Sequence, residues 1–170
     1  KLRRSIHALG PFPIPSHWAR CRSVDWGSAK PFSVGWWAIA SEDTWVKDGT
    51  IVTGEDVSGA KKVRRGALVR YREWYGWNKK ADEGCRMEAP EVARGIVTRS
   101  PDERYAYSVG DPSMWKVDGG PSIAEAFLRN GVVLRRADHF RNTGYAEVRS
   151  RIAGDAIFTR AIFPRPLAAS

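Results

Sequence analysis

At 170 residues the chain is long enough for one domain with a proper core, and 42% hydrophobic with 28% charged residues is ordinary for a globular protein. No apolar run approaches the ~18 residues of a membrane span, and the basic opening KLRRSIHALGPFPIPSHW is broken by prolines, unlike a signal peptide. The net charge of +9 makes a polyanion, above all nucleic acid, the expected partner. The plainer alternative is a basic solvated surface.

Cys21 and Cys85 lack metal-site spacing, which argues against a zinc knuckle or a disulfide framework and for a reducing compartment. The missing initiator methionine points to a piece of a longer chain.

In chain order, residues 1–19 are proline-rich and predict a linker or N-terminal arm, with His7 and His17 in it. Residues 20–170 follow as one domain. CRSVD is a strand ending at Asp25, WGSAKP a turn shaped by Gly27 and Pro31, and FSVGWWAIA an apolar strand. Residues 42–62 predict a hairpin or a mobile insertion. GALVRYREWYG alternates as a third strand, and NKKADEGCRME is a charged loop. Ala89 to Thr98, with Pro90 in its first turn, predicts a helix.

RYAYSVGD is then a short strand ending at Asp111. A helix opens at Pro121 or Ser122, carries Ile123, Phe127 and Leu128 on its apolar stripe, and is capped by Gly131. VVLRRA predicts a buried strand, TGYAEVRSRI a helix, and AIFTRAIF a last strand. A three-strand meander followed by alternating helices and strands implies an α/β fold, a mixed sheet with helices packed on it.

Asp25 and Asp111 share one context: each ends a short apolar strand and precedes a turn residue. If the two strands are neighbours, both carboxylates converge at one edge of the sheet. Paired carboxylates in a basic protein suit Mg²⁺ or Mn²⁺, hard ions that keep positions for water and phosphate oxygens. Two such ions about 4 Å apart activate a water and stabilise the leaving oxygen of a phosphodiester. The alternative is that both aspartates cap turns, as aspartate routinely does.

Other residues carry paired readings too. Glu73 is an extra ligand or base, or an ion-paired strand residue; His139 beside Asp138 is a solvated loop histidine or an acid–base group. Trp36, Trp37, Trp74 and Trp77 are core residues or base-stacking platforms, with core preferred for at least two. Lys30 is a phosphate contact or a turn residue. The run Lys61, Lys62, Arg64 and Arg65 and the cluster Arg135, Arg136, Arg141 and Arg149 are candidate DNA clamps or solvated faces.

The succession IPSHWARCRSVDWGSAKPFSVGWWA, YREWYG, EVARGI, VGDPSMW, SIAEAFLRNGVVLRRAD and GYAEVRSRI resembles the C-terminal nuclease domain of the large terminase subunit of tailed bacteriophages and prophages. The resemblance runs from about Phe12 to Ile152 and implies an RNase H-like fold over residues 20–170. It also implies cleavage of concatemeric double-stranded DNA during genome packaging, with two Mg²⁺ or Mn²⁺ ions. The family's first catalytic aspartate matches Asp25 in VDWG, and its second acidic position matches Asp111 in GDPSMW. Its third, in a later helix, has no matching segment; Asp155 in AGDAIF is the candidate ligand, and Asp138 matches a surface loop.

The resemblance further implies a preceding ATPase domain, since no Gly-x-x-x-x-Gly-Lys loop occurs in this sequence. Expected partners are a portal protein and a small terminase subunit, in the cytoplasm of a bacterial host and with no membrane. Rival expectations are a DNA-binding or portal-docking module without catalysis, and another RNase H-like nuclease such as a junction resolvase.

Overall fold

The computed structural model describes residues 7–54, 57–138, 146, 148–149 and 159–161. Ten strands are seen among them: β1 (Ala8–Leu9), β2 (Ala19–Asp25), β3 (Phe32–Ile39), β4 (Thr44–Lys47), β5 (Thr50–Val52), β6 (Lys61–Val63), β7 (Leu68–Gly76), β8 (Tyr107–Gly110), β9 (Arg135–Arg136) and β10 (Thr159–Ala161). Helices α1 (Ala89–Thr98) and α2 (Ile123–Arg129) and a 3₁₀ turn at Pro112–Trp115 are also seen. Of the helix expected over TGYAEVRSRI, Ala146, Val148 and Arg149 are described and are helical, and the rest lies outside the described residues. The main sheet has seven strands in the order β1-β10-β7-β3-β2-β8-β9. Its β2, β8 and β9 run parallel, as do β1, β10 and β7. Among the described residues no helix is long and apolar enough to cross a membrane.

Two compact units divide the chain. One holds residues 21–35 and 73–139, the other 1–20, 36–72 and 140–170. In the second unit, Leu9, Phe12, Trp18, Ala38, Ala40, Val46, Val63, Ala67 and Val69 form one buried cluster. Within the stretch expected to be a hairpin or a mobile insertion, β4, β5 and β6 form a three-stranded antiparallel sheet, order β5-β4-β6. Its first hairpin closes through Asp48 (φ 48°) and Gly49 (φ 80°), the left-handed pair that a tight two-residue turn requires.

The linker expected over residues 1–19 is corrected here, because its described part places Leu9, Phe12 and Trp18 in the core. Ala8–Leu9 pair with β10, and Trp18 is 2% exposed, edge-on to Phe12 at 6.3 Å. Prolines suppress regular periodicity in this segment without preventing burial of its large side chains. The Trp18 Nε1–H donates to Glu42 Oε1 at 2.7 Å, and His17 Nε2 lies 2.9 Å from the same oxygen. Hydrogen bonds from Ser41, Trp18 and His17 hold the Glu42 carboxyl at about 2, far below its ordinary value. With a folded-state value this depressed, the stabilisation is complete above pH 4.5 and is lost as the pH falls toward about 2. Glu42→Gln should flatten the acid limb of a stability–pH curve, measured by urea unfolding at stepped pH.

In the first unit, β3 alternates Phe32 and Val34 inward, both buried. Helix α1 has the predicted bounds: Glu88 and Glu91 form a capping box, Pro90 sits in the first turn, and Val92, Ala93 and Ile96 are buried. Gly95 costs helix propensity, but a Cβ there would lie 2.4 Å from the Trp74 ring, so glycine admits that indole. The Arg99 guanidinium covers the same ring at 3.9 Å. Ser122 caps α2 through the Glu125 amide, and Gly131 (φ 84°) ends it as expected. Two sequence expectations fail locally. Leu128 is exposed, and VVLRRA contributes only the exposed pair Arg135–Arg136, at the sheet edge where one neighbour suffices.

Candidate metal-binding and nucleic-acid site

Strands β2 and β8 pair in register from Cys21↔Tyr107 to Val24↔Gly110. The Asp111 N–H donates to the Val24 carbonyl at 3.1 Å, which carries the ladder one step past β8. Asp25 and Asp111 therefore follow matched positions at the C-terminal ends of two adjacent parallel strands, where side chains leave the sheet for a crevice. The convergence expected from sequence is present in the backbone.

The electrostatics agree with that placement. Partial burial raises the proton affinity of the Asp25 carboxyl, and the neighbouring Asp111 charge raises it further. The Asp25 side chain still reaches solvent, so this is the loss of part of a hydration shell rather than enclosure. The two aspartates differ in their local bonds. One Asp111 oxygen accepts the Ser113 N–H at 2.8 Å and caps the 3₁₀ turn. No hydrogen bond to the Asp25 carboxylate is seen among the described residues. Turn capping accounts for part of Asp111 and for none of Asp25.

The turn leaving Asp25 is tightly built. A Cβ on Gly27 would lie 2.4 Å from the Lys30 carbonyl oxygen, and one on Gly84 would lie 2.2 Å from that of Ser28. Glycine at 27 lets the turn close on itself, and glycine at 84 lets the loop after β7 lie on it, where the Gly84 N–H donates to Ala29 O at 2.8 Å and the Arg86 N–H to Ser28 O at 3.2 Å. Trp26, next to Asp25, packs edge-on to the fully buried Phe127 of α2 at 6.0 Å. Strand pairing, a glycine turn and an aromatic anchor together fix the backbone that carries Asp25.

The remaining sequence candidates scatter. Asp155, Arg141 and His139 lie outside the described residues. Asp138 is exposed just beyond β9, after Ala137 whose N–H donates to Gly110 O at 3.0 Å. Glu73 is half-buried on β7. Among the described residues no group of three or more His, Cys, Asp or Glu is gathered that could hold a metal ion.

The basic candidates divide by their partners. Lys30 is ion-paired with Asp82, Lys62 with Asp43 while lying over the Trp45 ring, and Lys61 donates to Ala8 O at 3.0 Å. Arg64 and Arg65 are exposed, and the Arg65 N–H donates to Asp43 Oδ1 at 2.8 Å. Arg149 is exposed. Arg135 and Arg136 stand exposed on edge strand β9, in register with Val109 and Gly110 immediately before Asp111. Of the four candidate tryptophans, Trp36 is fully buried, Trp37 and Trp74 are half-buried, and Trp77 is exposed. Sequence reasoning passed over Lys79, Lys80 and Arg86, all exposed in the loop after β7; the Trp-Asn-Lys-Lys run was the available signal.

The fold is α/β and RNase H-like, a mixed sheet with helices packed on it. The chain shares this fold with phage large terminases. It matches the large terminase of a thermophilic bacteriophage with a TM-score of 0.63 at 14% identity, over 94% of this chain and 32% of that one. The P22 large terminase nuclease domain matches with a TM-score of 0.59 at 11% identity, over 94% of this chain and 70% of that one. This chain thus spans 32% of the length of the thermophilic phage terminase. No family model matches the sequence, and no curated protein matches it.

Proposed function

We propose that this chain is the nuclease domain of a DNA-packaging large terminase of a phage or prophage, an endonuclease that cuts concatemeric double-stranded DNA with divalent metal. The observation that carries the reading is the pairing of Asp25 with Asp111 at the ends of adjacent parallel strands, on a fold shared with terminase nuclease domains.

The residues fit a hard divalent ion. Two carboxylates supply oxygen ligands; the raised proton affinity of Asp25 comes first from partial burial and then from the Asp111 charge, and a bound cation would offset both. Asp25 and Asp111 would hold Mg²⁺ or Mn²⁺, which when bound supplies a water nucleophile near neutral pH and offsets charge on the leaving oxygen. The chain's own contribution is positioning. The Ser113 N–H orients the Asp111 carboxylate, and the Gly27 turn fixes the backbone at Asp25. Arg135 and Arg136 hold DNA phosphates beside the pair. A preceding ATPase domain, a portal protein and a small terminase subunit complete the machine, in the host cytoplasm.

Supercoiled plasmid incubated with the chain and Mn²⁺ tests this reading: nicking that EDTA abolishes supports it, and no nicking overturns it. A preference for branched over linear DNA would indicate a junction nuclease. The gathering of only two carboxylates among the described residues favours a second reading, a DNA-binding module without catalysis. That module would shift DNA in a salt-dependent way and cut nothing. In either case Arg135→Ala with Arg136→Ala should weaken duplex binding for all sequences alike. The slope of log K against log salt should fall by about 2, read from anisotropy titrations at several salt concentrations.

A further inference from the structure

The end of β7 carries an aromatic surface that the proposed reaction does not use. Tyr75 and Trp77 are two residues apart at the end of β7 and are 50% and 49% exposed. Their ring centroids are 6.4 Å apart with planes tilted by 43°, so the rings do not stack face to face and consume each other's faces. The strand end that bears them is anchored. A Cβ on Gly76, between them, would lie 2.1 Å from the Phe32 ring, and Trp77 bridges Gly84 across the loop. That loop bonds to Ser28 and Ala29, in the turn that leaves Asp25. The exposed rings and the first aspartate are therefore carried by hydrogen-bonded neighbouring segments.

The same loop is shaped at a conformational cost and carries charge. Lys79 (φ 73°), Asp82 (φ 60°) and Arg86 (φ 59°) all occupy the left-handed region that side chains disfavour. Asp82 pairs with Lys30, whereas Lys79, Lys80 and Arg86 are exposed and make no ion pair among the described residues. Exposed aromatic faces with unneutralised cations alongside are the chemistry of a platform on which bases stack while phosphates are held. An intact duplex keeps its base faces stacked and offers such a surface only its backbone.

We propose that Tyr75 and Trp77 form a stacking shelf for unpaired bases, so that the DNA strand entering the site does so locally opened or frayed. The inference rests on the nuclease reading for the site it serves, but its test does not depend on cutting. Anisotropy titrations in EDTA compare a labelled oligothymidine strand with a blunt duplex, for the wild-type chain, Tyr75→Ala/Trp77→Ala and Tyr75→Phe/Trp77→Phe. The alanine pair should weaken single-strand binding by about 10-fold or more while changing duplex binding by less than about twofold. The phenylalanine pair should retain single-strand affinity, and it carries the test if melting curves show that the alanine pair is unfolded: a phenylalanine pair that loses single-strand affinity then overturns the shelf. Equal losses on both DNAs, no loss on the single strand, or no single-strand binding by the wild type likewise overturns it. Failure of the nuclease reading would instead appear as no Mn²⁺-dependent nicking, with the single-strand contrast intact.

Discussion

If the proposed nuclease reading holds, Asp25→Asn and Asp111→Asn should each lower Mn²⁺-dependent plasmid nicking by at least about 100-fold, because each would remove a charged oxygen ligand from the metal ion. DNA affinity should hold or rise, since a negative charge is lost beside the Arg135–Arg136 edge. The two variants should differ in stability. Asp25 has a raised folded-state proton affinity, so its ionised form opposes folding. Stability is then fullest below the unfolded-state value and falls as the pH rises through the folded one. At neutral pH Asp25→Asn removes this penalty and should melt slightly higher than the wild type. Asp111→Asn keeps an oxygen for the Ser113 N–H and should melt close to the wild type. Loss of activity with gained stability at Asp25 marks a residue held for chemistry rather than for the fold.

Trp18→Ala should destabilise the chain by about 3–5 kcal/mol, measured by chemical denaturation. The indole is 2% exposed, lies edge-on to Phe12 and donates to Glu42. Its loss opens a cavity in the cluster around Leu9, Val46, Val63 and Val69 and takes a hydrogen bond from Glu42. Trp18→Phe keeps much of the volume and loses the donor, so its cost should fall well below that of alanine. A solvated arm would tolerate both changes within about 0.5 kcal/mol.

The local signals in the sequence carried well where one segment dictates its own structure. Pro90 and the spacing of Val92 and Ile96 define α1 to the residue, and Ser122 with Gly131 brackets α2. Asp25 and Asp111 stand out because each ends a short apolar strand at a turn, whereas the parallel pairing of β2 with β8 joins segments remote in sequence and emerges only in the fold. Burial of Trp18 was hidden because its partners, from Ala38 to Val69, are remote in sequence and its own segment is proline-broken. The partners of the basic residues were hidden for a similar reason. Lys30 and Lys62 resemble free clamps until Asp82 and Asp43 arrive from other segments. Trp74 and Trp77 share one strand end, yet Arg99 of α1 covers the first and leaves the second to solvent.

A titration of Mn²⁺ into the chain, followed by electron paramagnetic resonance of the free ion, tests most directly whether the two aspartates act as one metal-holding edge. The wild type should bind Mn²⁺, and Asp25→Asn and Asp111→Asn should each weaken that binding by at least about 10-fold, as removal of one hard oxygen ligand from a shared site requires. Wild-type binding that neither substitution changes, or no binding at all, would contradict the account.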